Sequence, residues 1–294
     1  MGKKDSYENQ GKQIELFSLL KFSSVDLKPS SINTGIKSMN RFIVIIPARY
    51  GSSRFPGKPL AKIAGEEMIV RVCRRAAETG VDIAVATDDQ RIRECVEKAG
   101  FTAVMTSPDH KSGTDRVYEA FCKLGRPAEV VINVQGDEPF IAPAQIEALM
   151  RCFDDPETRL ATLVREFDLA LGFEALFDPN LVKVVTADNG DALYFSRSII
   201  PYIRGEKWQE WLESHKFHTH VGIYAYRSDA LGEITTLQRS RLEIAESLEQ
   251  LRWLENGYKI RTALTGEPTI GIDSPADLEA AERWLASQRD EKGK

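Results

Sequence analysis

The residues best suited to chemistry lie in a cationic loop that follows the first apolar run of the chain. Residues 42–46 are apolar, and Arg49, Arg54 and Lys58 follow them among glycines, serines and prolines. The backbone N–H groups of the small residues 51–53 can approach an anion closely. A guanidinium adds a planar pair of donors, and an ammonium group adds a compact point charge. This combination predicts a loop that binds a polyphosphate.

Two common phosphate-binding fingerprints do not fit this loop. No Gly-x-Gly-x-x-Gly follows the apolar run, and Pro59 follows Lys58 where a Walker motif requires Ser or Thr. The sequence therefore argues against a dinucleotide-dependent hydride transfer enzyme and against a P-loop hydrolase.

A second chemical segment follows the apolar run 130–134. It reads Gln135-Gly136-Asp137-Glu138 and places Asp137 just beyond the end of a predicted strand. Carboxylate oxygens are ligands that Mg²⁺ prefers, and they can hold the ion between protein and substrate phosphates. Asp137 is therefore the first predicted metal ligand.

The elements around these segments alternate between strand and helix. Apolar runs typical of buried strands occupy 83–86, 101–105 and 129–134, and apolar residues recur at helical spacing over 68–77 and 92–99. Such alternation predicts an α/β, Rossmann-like fold with a mostly parallel sheet and helices on both faces. Ligands bind at the carboxyl ends of the strands in such sheets, which is where the cationic loop and the acidic segment would meet.

The second half of the chain adds antiparallel pieces. Residues 188–191, Asp-Asn-Gly-Asp, lie between two β-type runs and predict a hairpin, and residues 220–227 predict a further strand. Residues 242–255 predict one long helix, which would place Glu246 and Gln250 on the same face because they are four residues apart.

Composition limits the classes of protein to which the chain can belong. It has 294 residues, 42% of them hydrophobic, and 39 basic against 44 acidic residues give a net charge of −5. No run approaches the roughly eighteen apolar residues that span a bilayer, and the negative charge argues against coating nucleic acid. Cys73, Cys95, Cys122 and Cys152 form no Cys-x-x-Cys pair, a pattern that predicts reduced thiols and a cytoplasmic location.

The first 38 residues differ from the rest of the chain. They are rich in Lys, Ser, Asn and Gln, and acidic residues interrupt their apolar stretch, which argues against a signal or transit peptide. We expect a disordered extension over 1–38 and a single domain over 39–294.

Ordered blocks of the sequence resemble the sugar-activating nucleotidyltransferases, most closely the 3-deoxy-manno-octulosonate (Kdo) cytidylyltransferases, or CMP-Kdo synthetases. These blocks run from about Arg41 to about Leu285. They are IPARY (46–50), SRFPGKPL (53–60), ATDD (86–89), SGTDR (112–116), NVQGDEP (133–139), ALYFSR (192–197), GIYAYR (222–227), LEQLR (248–252) and GIDSP (271–275).

The resemblance implies transfer of CMP from CTP to the anomeric hydroxyl of Kdo, giving CMP-Kdo and pyrophosphate for lipopolysaccharide synthesis. It implies Mg²⁺ as the cofactor, bound by Asp137 and Asp273, with Arg54 and Lys58 as the other catalytic residues. It also implies a homodimer to which residues from about 181 to 216 contribute. The CTP-binding residues would be Ala48, Arg49, Gly51, Ser52, Ser53, Arg54, Lys58, Ser112, Gly113 and Gln135. The sugar-binding residues would be Arg116, Arg197, Arg204, His220, Glu246 and Gln250.

Three other functions remain open at this point. One is cytidylyl transfer to another acidic sugar, such as a sialic acid or an amino analogue of Kdo. A nucleotide-sugar-dependent glycosyltransferase is disfavoured because Gln135-Gly136-Asp137 lacks the first acid of an Asp-x-Asp pair. A non-catalytic nucleotide-binding subunit is disfavoured because both cations and both aspartates are present.

Overall fold

A computed structural model describes residues 41–52, 54–268 and 270–292, and for 287–292 it describes the backbone only. The expected extension over 1–38 and the nucleotide-binding assignment of Ser53 lie outside the described residues.

Nine strands of the described chain form one sheet, and two short strands form a separate hairpin. The order along the main path of the sheet is β11-β7-β10-β6-β1-β4-β5, and β8 and β9 attach beside β10. The strands are β1 (Phe42–Ala48), β2 (Lys62–Ile63), β3 (Glu66–Glu67), β4 (Asp82–Thr87), β5 (Thr102–Met105), β6 (Val130–Asn133), β7 (Leu160–Glu166), β8 (Lys183–Thr186), β9 (Ala192–Ser196), β10 (His218–Arg227) and β11 (Ile260–Leu264).

The helices follow most strands of the parallel part and close the chain. They are α1 (Met68–Ala77), α2 (Gln90–Lys98), α3 (Gly113–Leu124), α4 (Pro143–Cys152), α5 (Trp211–Ser214), α6 (Ser228–Thr235), α7 (Arg241–Glu246), α8 (Gln250–Glu255) and α9 (Pro275–Lys292).

Strand β1 shows that both faces of the sheet are covered. Val44 and Ile46 pack into one apolar cluster with residues of α1, α2 and α4. Ile43 and Ile45 pack into a second cluster with residues of α3, α6 and α8. Successive side chains of a strand point to opposite faces, so an uninterrupted apolar run is what a doubly covered strand requires. The predicted α/β fold with helices on both faces is confirmed.

The parallel strands β1, β4 and β6 bring the three loops that follow them to the same end of the sheet. Strand β1 lies between β4 and β6 and is parallel to both, with Ala48 opposite Thr87 and Ile45 opposite Asn133. The loops that leave β1, β4 and β6 therefore begin side by side. This end of the sheet is where the sequence predicted a ligand.

Strand β10 is the main antiparallel insertion. It runs antiparallel to both β6 and β7, and its first residues also pair with β8. The predicted hairpin is confirmed, because β8 and β9 pair around a turn in which Gly190 has a φ of +85°. A separate apolar cluster lies next to this hairpin and includes Phe173, Trp211 and Phe217.

The prediction of one helix over 242–255 is wrong. Helix α7 ends at Glu246, Ser247 has a left-handed backbone (φ +51°), and α8 begins at Gln250. The carbonyls of Glu246 and Ser247 accept hydrogen bonds from the guanidinium of Arg197. These contacts replace the bonds that a continuous helix would give the carbonyls, so Glu246 and Gln250 do not lie on one helical face.

Among the helices that the structure describes, none is long and apolar enough to cross a membrane.

Candidate functional site

Lys58 lies between two acids from distant parts of the chain. Its Nζ is 2.6 Å from Oδ2 of Asp137 and 3.2 Å from Oδ1 of Asp273. Arg54 adds a second cation, with Nη2 3.1 Å from Oδ2 of Asp273. The side chains of Asp137 and Asp273 are 33% and 46% exposed, so a solute can reach both. The structure thus brings together the four residues assigned to catalysis from the sequence.

Backbone contacts keep the two acids close. The N–H of Ile272 donates to the carbonyl of Asp137 at 2.9 Å, which joins the loop after β6 to the segment before α9. The Asp277 carboxylate accepts hydrogen bonds from the N–H groups of Asp273 and Ser274, at 3.0 and 2.8 Å. Asp273 is therefore fixed at the start of α9 by a capping contact.

A third acid, Glu138, lies behind this pair. Burial, together with the nearby carboxylates of Asp137 and Asp273, raises the pKa of Glu138 to about 8. None of the described residues gives its Oε2 a hydrogen bond. In the absence of a bound cation, this shift favours the protonated form of Glu138 at neutral pH. The sequence pattern could not reveal the raised pKa of Glu138, because the shift depends on burial in the folded chain.

The cationic loop folds around the backbone of Tyr50. Its carbonyl accepts hydrogen bonds from the N–H groups of Ser52 and Gly57, both at 2.9 Å. Gly57 has a φ of +73°, and a Cβ there would lie only 3.0 Å from the Tyr50 ring, so this position requires glycine. Arg49 and Gly51 are exposed on this loop, where an anion can reach them.

The expected base-binding residues lie beside the end of β1. A Cβ on Gly136 would stand 2.8 Å from the carbonyl oxygen of Pro47, so only glycine allows this close approach. A Cβ on Gly113 would stand 3.4 Å from the Pro47 ring and 3.7 Å from Oε1 of Gln135, so this turn lies beside both residues. Ala48 itself is buried. Ser112 caps α3 by accepting from the N–H of Asp115 at 3.1 Å.

Arg116, which the resemblance assigns to sugar binding, is a buried side chain with polar partners of its own. Its side chain is 4% exposed and donates to Oδ2 of Asp88 and to Oγ1 of Thr106, both at 2.7 Å. The guanidinium joins α3 to the ends of β4 and β5. Its partner Asp88 is 28 residues earlier in the chain, so no local pattern could have indicated the pairing.

His220 lies among aromatic rings beside β7. Its ring packs against those of Phe195 and Tyr224, with centroids 5.1 and 5.3 Å away, and Nε2 is 3.0 Å from Oγ1 of Thr162. Burial lowers the pKa of His220 to about 3. The imidazole is therefore neutral at pH 7 and suits hydrogen bonding to a hydroxyl rather than pairing with a carboxylate.

Among the buried polar atoms that have no hydrogen bond of normal geometry within the described residues, one lies on β10 beside this histidine and one at the start of α8. They are Oη of Tyr224 and Nε2 of Gln250. Tyr224 is opposite Asn133 in the β10–β6 register, two residues before Gln135. Buried polar groups are nearly always satisfied in folded proteins, so these atoms indicate where a polar ligand binds. Tyr224 was missing from the residues assigned from the sequence, although it lies in the block GIYAYR.

Arg197 and Glu246 are half-buried and hydrogen-bond to each other. The Glu246 carboxylate accepts from Oγ of Ser196 at 2.7 Å and from the N–H of Arg197 at 2.9 Å. The Arg197 guanidinium also donates to the carbonyl of Pro179 at 2.8 Å. Arg204 is exposed on the segment between β9 and α5.

The pair of aspartates fits a magnesium ion. Proteins usually hold Mg²⁺ with one or two carboxylates, while substrate phosphates and water complete the octahedron. Asp137 and Asp273 already share one cationic group, the ammonium of Lys58. Within the described ranges, no cluster of three or more His, Cys, Asp or Glu side chains is placed to hold a metal.

Comparison with known proteins agrees with this geometry. The cytidylyltransferase family model matches residues 43–260. The chain is 56% identical to the 3-deoxy-manno-octulosonate cytidylyltransferase of Parabacteroides distasonis over 85% of this chain and 100% of that protein. It is 53% identical to the protein of the same name from Bacteroides thetaiotaomicron, over 84% and 99% of the two chains.

Solved structures give the same result. A CMP:2-keto-3-deoxy-manno-octonic acid synthetase in complex with CTP matches with a TM-score of 0.77 and 44% identity, over 84% of this chain and 99% of that one. A 4-diphosphocytidyl-2C-methyl-D-erythritol synthase from Anaerococcus prevotii, 12% identical with a TM-score of 0.55, shares the fold. The chain therefore belongs to the cytidylyltransferase family, within the group of 3-deoxy-manno-octulosonate cytidylyltransferases.

Proposed function

We propose that the protein transfers CMP from CTP to the anomeric hydroxyl of Kdo, releasing pyrophosphate. The observation that carries the proposal is the meeting of Lys58 and Arg54 with Asp137 and Asp273 at the carboxyl edge of the parallel strands. The identity to Kdo cytidylyltransferases, which extends over most of both chains, supports the choice of sugar and nucleotide.

In this reaction the protein would contribute mainly by positioning the substrates and by stabilising negative charge. The anomeric oxygen forms a bond to the α-phosphorus, the bond from that phosphorus to the bridging oxygen breaks, and the hydroxyl proton goes to solvent. Lys58, Arg54 and the N–H groups of the loop would hold the pyrophosphate as its charge develops. No protein nucleophile is required.

Asp137 and Asp273 would hold the magnesium on which the enzyme depends. The ion, when bound, supplies charge neutralisation at the phosphate and lowers the pKa of a coordinated hydroxyl.

The sugar would lie towards β10. The neutral imidazole of His220, Oη of Tyr224 and Nε2 of Gln250 offer hydrogen bonds suited to hydroxyl groups. A sugar carboxylate would need a cationic partner, and Arg204, which is exposed and is assigned to the sugar by the family resemblance, is the candidate.

The function can be tested with purified protein and a pyrophosphate-release assay. Kdo, CTP and Mg²⁺ together should give pyrophosphate and a product with the mass of CMP-Kdo. ATP or UTP in place of CTP, N-acetylneuraminate in place of Kdo, or chelation of the metal should each abolish most of the release. A preference for N-acetylneuraminate or for an amino analogue would replace the proposed sugar, and no release with any divalent ion would refute the reaction.

The protein would work in the cytoplasm as a homodimer. The described cysteines are all free thiols, as expected in a reducing compartment. An aromatic face formed by Phe177, Tyr202 and Trp208 supports the dimer, because these side chains are 58%, 74% and 44% exposed. They line a groove of about 910 Å³ that also contains Arg197, so a second copy bound there would adjoin the expected sugar-binding residues.

A further inference from the structure

The two acids of the block ATDD, Asp88 and Asp89, have no role in the proposed reaction. Each nevertheless binds an arginine near the carboxyl ends of the parallel strands, where the nucleotide is expected. Asp88 binds the buried Arg116. Asp89 caps α2 by accepting from the N–H of Arg91 at 2.9 Å, and it also binds the Arg91 guanidinium through both oxygens, at 3.0 and 2.6 Å. The guanidinium is thereby fixed at the start of α2.

Arg91 in turn covers the ring of Tyr50. Its guanidinium carbon lies 3.5 Å from the ring centroid, in the range of a close cation–π contact. The ring also lies against Gly57, where a Cβ would meet it at 3.0 Å. Tyr50 is therefore in contact with Arg91 and with the glycine that directly precedes Lys58.

We propose that Asp89, Arg91 and Tyr50 form a brace that holds the cationic loop in the conformation that binds CTP. The inference rests on the proposed function and assigns these side chains as positioning residues that do not touch the nucleotide. Much of the loop is exposed, including Arg49, Gly51 and Arg54, so few packing contacts of its own keep it in place. A loop that is already ordered loses less conformational entropy on binding, which raises affinity.

The brace predicts a selective effect on CTP. Arg91→Ala and Tyr50→Leu should each raise the KM and the Kd for CTP by about three- to tenfold, as expected for loss of a partly exposed cation–π contact. The KM for Kdo should change less than twofold. Tyr50→Phe keeps the ring face and should therefore lose less CTP affinity than Tyr50→Leu. Arg93→Ala is the matched control, since Arg93 is also an ion-paired arginine on α2 but pairs with Glu97.

A double-variant cycle separates the brace from direct contact with the nucleotide. If Arg91 acts through Tyr50, Arg91→Ala combined with Tyr50→Leu should bind CTP no more weakly than the worse single variant. Multiplicative losses, or an Arg91→Ala variant with unchanged CTP affinity, would overturn the inference. CTP binding is measured by calorimetry without Kdo, and thermal melting checks folding. The brace hypothesis can therefore be refuted by the CTP-binding data while the unaltered protein still releases pyrophosphate. Conversely, the unaltered protein can fail to release pyrophosphate even if the variants bind CTP as predicted.

Discussion

Lys58 occupies the position between the Asp137 and Asp273 carboxylates, where a divalent cation would also be attracted. Because Arg54 also pairs with Asp273, two acids face two cations, and these four side chains carry no net charge before a ligand binds. A triphosphate that brings its own magnesium would offer Lys58 a phosphate partner and free the carboxylates for the ion. The same three side chains can thus form one arrangement without ligand and another with it.

Asp137→Asn tests this arrangement at a single atom. The amide keeps the shape of the side chain but removes one of the two negative charges, so kcat should fall by about 100-fold or more, as for loss of an electrostatic group at a reacting centre. The variant should remain folded, because Asp137 is partly exposed. Asp82→Asn is the control, since Asp82 lies at the opposite, amino end of β4 with its side chain 65% exposed. Activity near that of the control would remove Asp137 from the site.

Sequence reasoning succeeded for residues whose position follows from the end of a strand. The loop that carries Lys58 and the segment that carries Asp137 both follow runs that had to be buried strands, so parallel pairing made their meeting predictable. Asp273 carried no such local signal and was found through family resemblance alone. The pairing of Arg116 with Asp88 was not predicted, because Asp88 comes from another strand end and such pairings arise only in the folded chain.

At the scale of elements, the parallel half was predictable, whereas in the antiparallel half the hairpin and β10 were predicted but their place in the sheet was not. Strands buried on both faces give uninterrupted apolar runs such as 42–46, and helices between them fix the direction. Alternation identified β10 as a strand, but it could not show that this strand lies between β6 and β7. The break at Ser247 depends on the guanidinium of Arg197, some fifty residues away, so helical periodicity could not reveal it.

The short β2–β3 hairpin gives a prediction about an element. Its two turn residues, Ala64 and Gly65, both have positive φ, 52° and 89°, as in a type I′ turn. Alanine is strained there, whereas asparagine tolerates the left-handed region. Ala64→Asn should therefore raise the free energy of unfolding by about 0.5–1 kcal/mol. Urea unfolding measures the gain, and kinetic constants should stay unchanged. A loss of stability would show that another contact of Ala64 outweighs its backbone strain.

At the scale of the whole molecule, the buried His220 links stability to pH. Its pKa in the folded protein is about 3, below the ordinary value of 6.5. Between these values the unfolded chain binds a proton that the folded chain does not, so this group's contribution is complete above pH 6.5 and is lost as pH falls towards 3. The slope is at most about 1.4 kcal/mol per pH unit.

His220→Asn removes the titrating group and should therefore reduce the loss of unfolding free energy at acid pH. Urea unfolding at pH 7 and pH 5 gives the change in unfolding free energy for each protein. The drop from pH 7 to pH 5 should be smaller in the variant by about 1–2 kcal/mol. The stability lost through altered packing in the variant is the same at both pH values, so it cancels when the change in unfolding free energy between pH 7 and pH 5 is compared between the two proteins. Equal drops would show that His220 is accessible to protons in the folded state.

The aromatic face bears on the assembly of the molecule. Phe177, Tyr202 and Trp208 are too large and too exposed to be a random scatter of surface apolar residues, and clustered exposed aromatics mark association surfaces.

Tyr202→Glu with Trp208→Glu places two like charges on each copy, so a symmetric interface would bring four charges together and fail. Light scattering should then give a dimer mass for the unaltered protein and a monomer mass for the variant. Leu264→Glu is the control, because Leu264 is 58% exposed on β11, at one edge of the sheet, and should remain dimeric. A monomeric unaltered protein at assay concentration, or a dimeric double variant, would assign the aromatic face to something other than a second copy.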